Sequence, residues 1–295
     1  MTRPLPEGLS PGGRFAEWAP GVPAYVVADV DGTLLAGGTT ATPGVAGAVA
    51  DAHAAGLRVG FATGRLPVGV RGLQRQLVPE GPHVLHNGAQ IWVDGRPLRT
   101  WPLDATVARR LRDAYVEHGL YAEFFVGEEF FVTDYREAAR PTWEHISGEP
   151  AGLIADLDLD AIEIVKATVV AFGPDELPVA LEQTRRFGLD AEAAPSPLLP
   201  DAGFINVTSP ETDKGRALTH AAAHLGIGLD QVVAVGDGRN DLTMLAVAGT
   251  AVAMGQAPPE LRDAAHLVVP EVDEDGVAHA LRAAARWRAE ARGGA

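Results

Sequence analysis

Apolar strands alternate with helices between residues 24 and 93, and this alternation restricts the fold more than any other feature. The segment AYVVADV is a continuous β-branched run of the kind found in buried strands. An Ala-rich helical stretch, TPGVAGAVADAHAAG, follows it, and a second predicted helix, VGVRGLQRQLV, separates the strands LRVGFATGR and HVLHNGAQIWV. This β-α-β-α-β order predicts an α/β fold with a parallel sheet covered by helices on both faces, because parallel strands need crossover connections.

The rest of the chain predicts a second module inserted into this α/β core. Between residues 90 and 207, hairpin-like strand pairs and interspersed helices replace the alternation, which is typical of an α+β module. The first pattern resumes at Thr212. Residues 1–22 carry Pro and Gly throughout and are interpreted as a flexible leader. The predicted organisation is a leader, a three-layer αβα Rossmann-like core (23–89 and 208–295) and an inserted α+β domain (90–207).

Composition excludes several classes of function. The net charge of −15 argues against a general binder of nucleic acid or of an anionic membrane surface. The chain has no cysteine, so disulfides and thiolate metal sites are excluded. No signal peptide and no uninterrupted apolar run of about 18 residues is recognised, so we expect a soluble cytoplasmic protein without a membrane partner. A monomer is compatible with the sequence, and any anionic substrate must be small.

Polar residues occur where predicted strands end, the edge at which open α/β sheets carry their function. Four segments contribute them: DVDGT, ATGR, TDKG and GDGRND. Taken singly, each segment could be an ordinary turn or a helix cap. Together they gather carboxylates, a hydroxyl group and a lysine at one edge of the sheet.

The residue types in these segments are suited to binding a metal ion and a phosphoryl group. Asp29, Asp237 and Asp241 offer hard oxygen ligands of the kind that Mg²⁺ prefers. Thr63 and Lys214 offer a hydroxyl group, backbone N–H groups and a compact cation, which suit a phosphoryl group. A metal among carboxylates beside a phosphate cradle predicts phosphoryl transfer. The chain has only two lysines, Lys166 and Lys214, which is compatible both with chance and with positions where arginine cannot serve.

Five segments together resemble the motifs of a known superfamily. They are DVDGTLL, FATGR, HNGAQI, TDKGRAL and GDGRNDLTMLAVAGTAVAMGQA. In this order they are similar to the haloacid dehalogenase superfamily, and within it to the Cof-type phosphatases with a large inserted cap domain. The resemblance spans nearly the whole chain apart from the leader and the middle of the insertion. It implies that the inserted α+β module is a mobile cap over the active site.

The resemblance also implies catalytic and metal-binding roles. The Asp29 carboxylate would attack phosphorus and form an aspartyl-phosphate, and Asp31 would protonate the leaving alcohol and then deprotonate water. Mg²⁺ would be bound by the carboxylates of Asp29 and Asp237 and by the backbone carbonyl of Asp31. Asp241 would support the metal through water.

Further residues are implied to hold the phosphoryl group. Thr63, Gly64 and Lys214 would bind its oxygens, and Lys214 would also temper the charge on the nucleophile. Asn240 would orient the same shell of groups. Arg65 could contact the phosphate or the substrate, or it could pair with an acidic neighbour.

The leading hypothesis is a Mg²⁺-dependent phosphomonoesterase that hydrolyses a small cytosolic phosphorylated metabolite, with sugar phosphates as the expected class. A sugar phosphomutase of the phosphomannomutase type is the alternative, because DVDGTL also resembles that branch. A non-catalytic regulator that binds a phosphorylated ligand is less favoured, because Asp31 and Lys214 are both present. No pattern in residues 90–207 indicates which leaving group is selected.

Overall fold

The computed structural model describes residues 5–77, 79–146, 148–189, 191, 193–194 and 199–293. The chain divides into two compact units. Unit 1 consists of Met1–Gly64, Val70–Arg99 and Asp213–Ala295, and unit 2 consists of Arg65–Gly69 and Thr100–Thr212.

The described residues form fifteen strands. In chain order they are β1 (Ser10–Pro11), β2 (Tyr25–Ala28), β3 (Arg58–Phe61), β4 (His83–Leu85), β5 (Gln90–Val93), β6 (Arg96–Thr100), β7 (Tyr121–Val126), β8 (Glu129–Val132), β9 (Gly152–Leu153), β10 (Lys166–Phe172), β11 (Ala193–Ala194), β12 (Ala202–Val207), β13 (Val232–Gly236), β14 (Thr250–Ala253) and β15 (Leu267–Val268).

Nine α-helices occur in the same described ranges. They are α1 (Pro43–Ala54), α2 (Pro67–Leu77), α3 (Ala105–Glu117), α4 (Arg140–Ile146), α5 (Glu176–Arg185), α6 (Lys214–Leu225), α7 (Leu242–Val247), α8 (Pro259–Ala264) and α9 (Gly276–Gly293). None of these described helices has both the length and the apolar character that a membrane crossing requires.

Unit 1 is built on a six-stranded sheet in the order β1-β15-β14-β13-β2-β3. All neighbouring pairs are parallel except β1 with β15. Val26 and Ala28 of β2 belong to a core that includes residues of α1 and α9, whereas Val27 is equally buried but lies on the other side of the strand. Helices therefore cover both faces, and the predicted α/β fold with a parallel sheet is confirmed.

The N-terminal segment contributes to this unit. Ser10–Pro11 pairs with β15, and a 3₁₀ turn follows at Phe15–Glu17. The indole N–H of Trp18 donates to the Thr250 hydroxyl at 3.1 Å, and its ring lies 5.3 Å from the ring of Trp287 in α9. Trp18 thus packs the N-terminal segment against unit 1. The Pro and Gly content of this segment had predicted only a flexible leader.

A small antiparallel sheet, ordered β4-β5-β6, also belongs largely to unit 1. Ile91 of β5 is fully buried, and α6 packs against both β4 and β5. Unit 2 accordingly begins its long segment at Thr100, about ten residues after the predicted start of the insertion, and ends it at Thr212. Sequence pattern alone places the hairpin around Asp94 in the insertion, because its predicted antiparallel pairing differs from the parallel pattern of the core.

Unit 2 contains a mixed sheet in the order β11-β12-β10-β7-β8-β9. Its pairs are antiparallel except β8 with β9. One face packs on α3 and α5 through an apolar cluster that includes Leu111 and Ala180. The other face carries a second cluster with Trp143 of α4 and with Leu66 from the short Arg65–Gly69 segment. The inserted module is therefore an α+β unit with its own core.

We predict that Trp18→Ala lowers the free energy of unfolding of unit 1 by about 2 kcal/mol, because it removes a partly buried ring and a hydrogen bond. Urea unfolding followed by circular dichroism measures the change. Val22→Ala is the matched control, since Val22 lies in the same segment with 42% of its surface exposed. Equal stability of the Trp18 variant and the control would contradict a structural role for this segment.

Candidate active site

The side chain of Lys214 joins two of the predicted carboxylates inside unit 1. It is the first residue of α6 and is only 1% exposed. Its Nζ atom donates to Asp29 Oδ1 and to Asp241 Oδ1, both at 2.6 Å. The helix is positioned by Asp213, whose carboxylate accepts the N–H of Arg216 at 2.8 Å as the N-cap. The start of α6 therefore places an ammonium group between two strand ends.

Asp241 is fully buried, and both of its oxygens have partners. Oδ1 accepts from Lys214, and Oδ2 accepts the backbone N–H groups of Asp237 and Gly238 at 3.0 Å each. Gly236 has no room for a side chain, since a Cβ atom there would collide with the Asp241 carboxylate. Asp241 thus fixes the position of Lys214 relative to the loop after β13.

Asp237 follows β13 and faces the loop after β2. Its Oδ1 accepts from the Thr33 hydroxyl at 3.1 Å. Gly32 has φ +83°, and a Cβ atom there would lie well inside contact distance of Asp237 Oδ2. The carbonyl oxygen of Gly32 accepts from the side-chain amide of Gln256 at 2.5 Å. Glycine is required here because the backbone conformation and the neighbouring carboxylate both exclude larger residues.

A second group of loops lies beside these carboxylates. Thr63 and Gly64 follow β3, and the N–H of Asn87 donates to the carbonyl of Thr63 at 2.9 Å. The Asn87 side-chain oxygen accepts from Asn240 at 3.1 Å. Gly88 has φ +106°, and a Cβ atom there would collide with the backbone at Asp213. Asn87 thus links two predicted phosphate-binding residues, and Gly88 permits the close approach of the start of α6.

The two remaining predicted residues lie in different settings. Asp31 is exposed at the start of the turn that follows Val30, and its backbone forms an isolated β-bridge with Leu35. Arg65 is mostly buried, belongs to unit 2, and donates from Nη1 to the carbonyl of Gly69 at 3.2 Å. The structure therefore brings Asp29, Asp237, Asp241 and Lys214 together in unit 1, and it places Arg65 in unit 2.

Burial and like charge shift the protonation of this cluster. Burial raises the pKa of Asp29 to about 8, against the lowering effect of the Lys214 ammonium, and Asp241 and Asp237 add to the rise. Burial also raises the pKa of Asp237 to about 6, with a further contribution from Asp241. Burial opposes the charge on Lys214, but the two carboxylates hold its pKa above the ordinary value. Three carboxylates with one ammonium therefore leave negative charge uncompensated.

The donor set fits a divalent cation. One oxygen from each of Asp29, Asp237 and Asp241 lies within 4.8 Å of the others. These are hard oxygen donors without nitrogen or sulfur, the chemistry that Mg²⁺ prefers. Because both Asp241 oxygens are already bonded to protein donors, Asp29 and Asp237 are the better candidates for direct ligands, and Asp241 fits a supporting position.

Thr33, Asn87 and Gln256 contact the predicted site or its loops, but the sequence alone assigns no role to them. Thr33 stands inside the DVDGT segment, and Asn87 interrupts an apolar strand with an Asn-Gly pair. Both positions carried a visible signal, since polar residues at strand ends meet at one edge of the sheet. The partner of each side chain depends on which loops lie side by side. Gln256 stands beyond β14 at the end of the fifth motif segment, but that segment gives no indication of its partner.

Comparison with models of known families shows the family to which the chain belongs. A model described as haloacid dehalogenase-like hydrolase matches residues 26–281. The chain belongs to this family. The membership predicted from the five motifs is thereby confirmed. The matched range begins inside β2, three residues before Asp29, and ends inside α9, so it contains every predicted site residue.

Curated relatives agree with this assignment. The HMP-PP phosphatase of Cronobacter sakazakii is 30% identical over 261 residues, which cover 86% of this chain and 92% of the relative. The pyridoxal phosphate phosphatase YbhA of Escherichia coli is 26% identical over 278 residues, which cover 86% and 95% of the two chains. The predicted enzyme class, a hydrolase of the phosphoric monoester phosphatase type, is confirmed at this level.

Solved structures show the same fold. A haloacid dehalogenase-like hydrolase from Bacteroides thetaiotaomicron superposes with a TM-score of 0.77 at 24% identity, covering 88% of this chain and 98% of the other. A protein from Geobacillus kaustophilus superposes with a TM-score of 0.74 at 26% identity, with the same coverage of both chains.

We predict that the metal-free protein loses stability as pH rises from about 4 to about 8. The folded pKa values of Asp29 and Asp237 lie above the ordinary 3.8, so the folded state retains protons that the unfolded state releases. Mg²⁺ should restore stability most at the upper end of this range, by about 2.7 kcal/mol at 100 times its dissociation constant. Urea unfolding at pH 5 and pH 8, with Mg²⁺ or a chelator, measures both effects.

The Asp237→Asn variant is the control for this prediction, because it removes one of the two raised pKa values and one candidate ligand. Its metal-free stability should depend less on pH, and Mg²⁺ should stabilise it less. An equal response of the variant and the natural protein to Mg²⁺ would place the metal elsewhere.

Proposed function

We propose that this chain is a Mg²⁺-dependent phosphomonoesterase that hydrolyses a small phosphorylated metabolite through an aspartyl-phosphate on Asp29. The observation that carries the proposal is the buried contact of one lysine with two strand-end carboxylates, beside a third carboxylate. A buried cluster with this excess of negative charge is costly unless it serves a cation and an anionic substrate.

The reaction would proceed in two steps on residues of this chain. In the first, a carboxylate oxygen of Asp29 forms a bond to phosphorus, the ester P–O bond breaks, and Asp31 gives its proton to the leaving alcohol. In the second, Asp31 takes a proton from water, the water oxygen attacks phosphorus, and the acyl phosphate bond breaks to regenerate Asp29. The exposure of Asp31 suits a group that must exchange protons with water and substrate.

Charge neutralisation accounts for most of the expected catalysis. Lys214 is fixed beside Asp29, so it would offset the nucleophile's charge and attract a phosphoryl oxygen without reorganising. Thr63 and Gly64 would hold the other phosphoryl oxygens, and Asn240 would orient this shell through Asn87. When bound, Mg²⁺ would supply Lewis-acid stabilisation of the phosphoryl oxygens. Asp29, Asp237 and the carbonyl of Asp31 would hold it, with support from Asp241.

The relatives support a small substrate without choosing its class. Their names give HMP-PP and pyridoxal phosphate, and a further relative from Bacillus subtilis, 25% identical over 279 residues, is a 5-amino-6-(5-phospho-D-ribitylamino)uracil phosphatase. These are chemically different compounds, so the substrate of this chain has to be inferred from its own residues. We propose a sugar phosphate as the class.

We predict that Asp29→Asn reduces phosphate release to below a few per cent of the natural rate while preserving the fold, because the replacement is nearly isosteric but is a poor nucleophile. Free phosphate is measured with a panel of phosphate monoesters, with Mg²⁺ and with a chelator. Asp94→Asn is the matched control, since Asp94 is an exposed turn residue with φ +52° that tolerates asparagine.

The products decide between the functions considered. Mg²⁺-dependent release of free phosphate by the natural protein and by Asp94→Asn supports the hydrolase. An isomeric phosphate ester as the product would instead show a mutase. Binding of phosphate esters without any turnover, by a folded and metal-loaded sample, would show a regulator.

We also predict that Lys214→Arg loses most activity. The ammonium lies between two carboxylate oxygens at 2.6 Å in a fully buried position, and a planar guanidinium cannot occupy the same place. The kcat for the best ester of the panel is compared with that of the natural protein, after circular dichroism has shown that the variant is folded. A rate close to the natural one would contradict the role of a point charge beside Asp29.

A further inference from the structure

Gln256 connects three loops of unit 1 through its side-chain amide. It stands in the turn after β14, and its Nε2 atom donates to the carbonyl of Gly32 at 2.5 Å. Its Oε1 atom accepts the backbone N–H of Val272 at 3.1 Å. Gly32 belongs to the turn after β2, whereas Val272 begins the short 3₁₀ turn that precedes α9. The side chain therefore contacts the loop of the proposed nucleophile without taking part in either chemical step.

The contact with Gly32 restrains the peptide that carries a proposed metal ligand. The N–H of Gly32 donates to the carbonyl of Leu35 at 2.8 Å, and Gln256 holds the carbonyl of the same glycine. Because a trans peptide unit is planar, the N–H of Gly32 and the carbonyl of Asp31 lie in one plane and point in opposite directions. Glycine turns easily about its backbone bonds, so holding both polar groups of Gly32 restricts the direction of the Asp31 carbonyl.

The same amide also bonds to the carboxylate of Asp237. Burial raises the pKa of Asp237, whereas hydrogen bonds from Thr33 and from Gln256 lower it. A glutamine nitrogen carries two hydrogens, so it can donate to the carbonyl of Gly32 and to this carboxylate together. The two acceptors are close to each other, since a Cβ atom on Gly32 would collide with Asp237 Oδ2. The amide thus lies where the loops of two proposed metal ligands meet.

The oxygen of the amide is anchored on a packed segment. Val272 packs against the apolar core of unit 1, and its carbonyl accepts the N–H of Asp275 at 3.1 Å. With the oxygen of Gln256 turned to Val272, the nitrogen faces Gly32 and Asp237. Ionised glutamate lacks the donor, lysine lacks the acceptor, and asparagine is one methylene shorter. Glutamine therefore suits this position in both length and chemistry.

A purely structural role explains these bonds less well. Gln256 is exposed, and Gly32 and Val272 are partly exposed, so water can replace the amide at each backbone group. Loss of a hydrogen bond is most costly where it leaves a buried group without a partner, which is not the case here. Holding a long side chain in one conformation also costs entropy. Water can satisfy these backbone groups, but it cannot hold the two loops in a fixed arrangement.

We propose that Gln256 is a positioning residue, which holds the Asp31–Gly32 turn against Asp237 in the arrangement that binds Mg²⁺. This inference rests on the proposed phosphatase function and deepens it by adding a residue that acts on the metal site from outside. Residues that surround metal ligands commonly set the metal affinity, because they orient the ligating atoms. Gln256 therefore influences how tightly Mg²⁺ binds, and its effect on turnover follows from the metal.

The test measures Mg²⁺ binding without substrate. The melting temperature is followed over a series of MgCl₂ concentrations, which gives a dissociation constant for the natural protein and for Gln256→Met. Methionine has a similar length but no amide, and the constant should rise about 10- to 100-fold in this variant. Gln231→Met is the matched control, because Gln231 also accepts a backbone N–H but precedes β13, at the opposite end of the strand from Asp237. The control should keep the natural constant.

A structural role and a positioning role give different results in this experiment. A purely structural role would lower the melting temperature of the metal-free variant and leave the Mg²⁺ constant unchanged, and that result overturns the inference. Gln256→Ala removes the same bonds with a shorter side chain, and its constant should rise in the same way. The alanine variant therefore decides the question if the methionine variant does not fold.

Phosphate release separates this inference from the proposed function. The Mg²⁺ concentration that gives half-maximal release should rise in Gln256→Met in parallel with the dissociation constant, and saturating Mg²⁺ should restore most of the rate. A raised constant supports the positioning role even if the natural protein hydrolyses no ester, an outcome that overturns the phosphatase alone. An unchanged constant in the folded variants, with normal release of phosphate, overturns the positioning role alone. Absence of Mg²⁺ binding by the natural protein overturns both.

Discussion

The contact of Lys214 with Asp29 and Asp241 is the interaction on which the organisation of unit 1 depends. The two carboxylates come from loops after different strands, and the ammonium comes from the first turn of a helix. Each charged group alone would be disfavoured in a buried position, so each is stabilised by the other two. The contact therefore ties the start of α6 to the loops that follow β2 and β13.

The geometry extends outward from this contact through glycines and backbone donors. Asp241 uses its second oxygen to fix two N–H groups of its own loop, and Gly32 and Gly88 allow neighbouring backbones to approach where a side chain would collide. The cluster retains excess negative charge, which the protein tolerates by protonation or relieves with a cation. The same property that makes the site costly thus makes it selective for cations.

The parts that could be predicted from sequence are those for which local pattern and topology agree. Asp29, Asp237 and Asp241 were recognised because each follows an apolar strand, and parallel strands bring their carboxyl ends to one edge. Lys214 stood out because lysine is rare in this chain. Asn87 and Gln256 were not assigned because their partners depend on loop conformation. The packing of the N-terminal segment could not be predicted, because the partners of Trp18 lie more than 200 residues away in the sequence.

The short strand near the N-terminus also has a consequence for how copies of this chain behave together. Ser10–Pro11 forms the outermost strand of the unit 1 sheet, antiparallel to β15. A two-residue strand with a proline offers few backbone donors to another chain, and such edges resist intermolecular strand pairing. The leading segment therefore covers the edge of β15 and ends the sheet in a strand that pairs poorly with another chain.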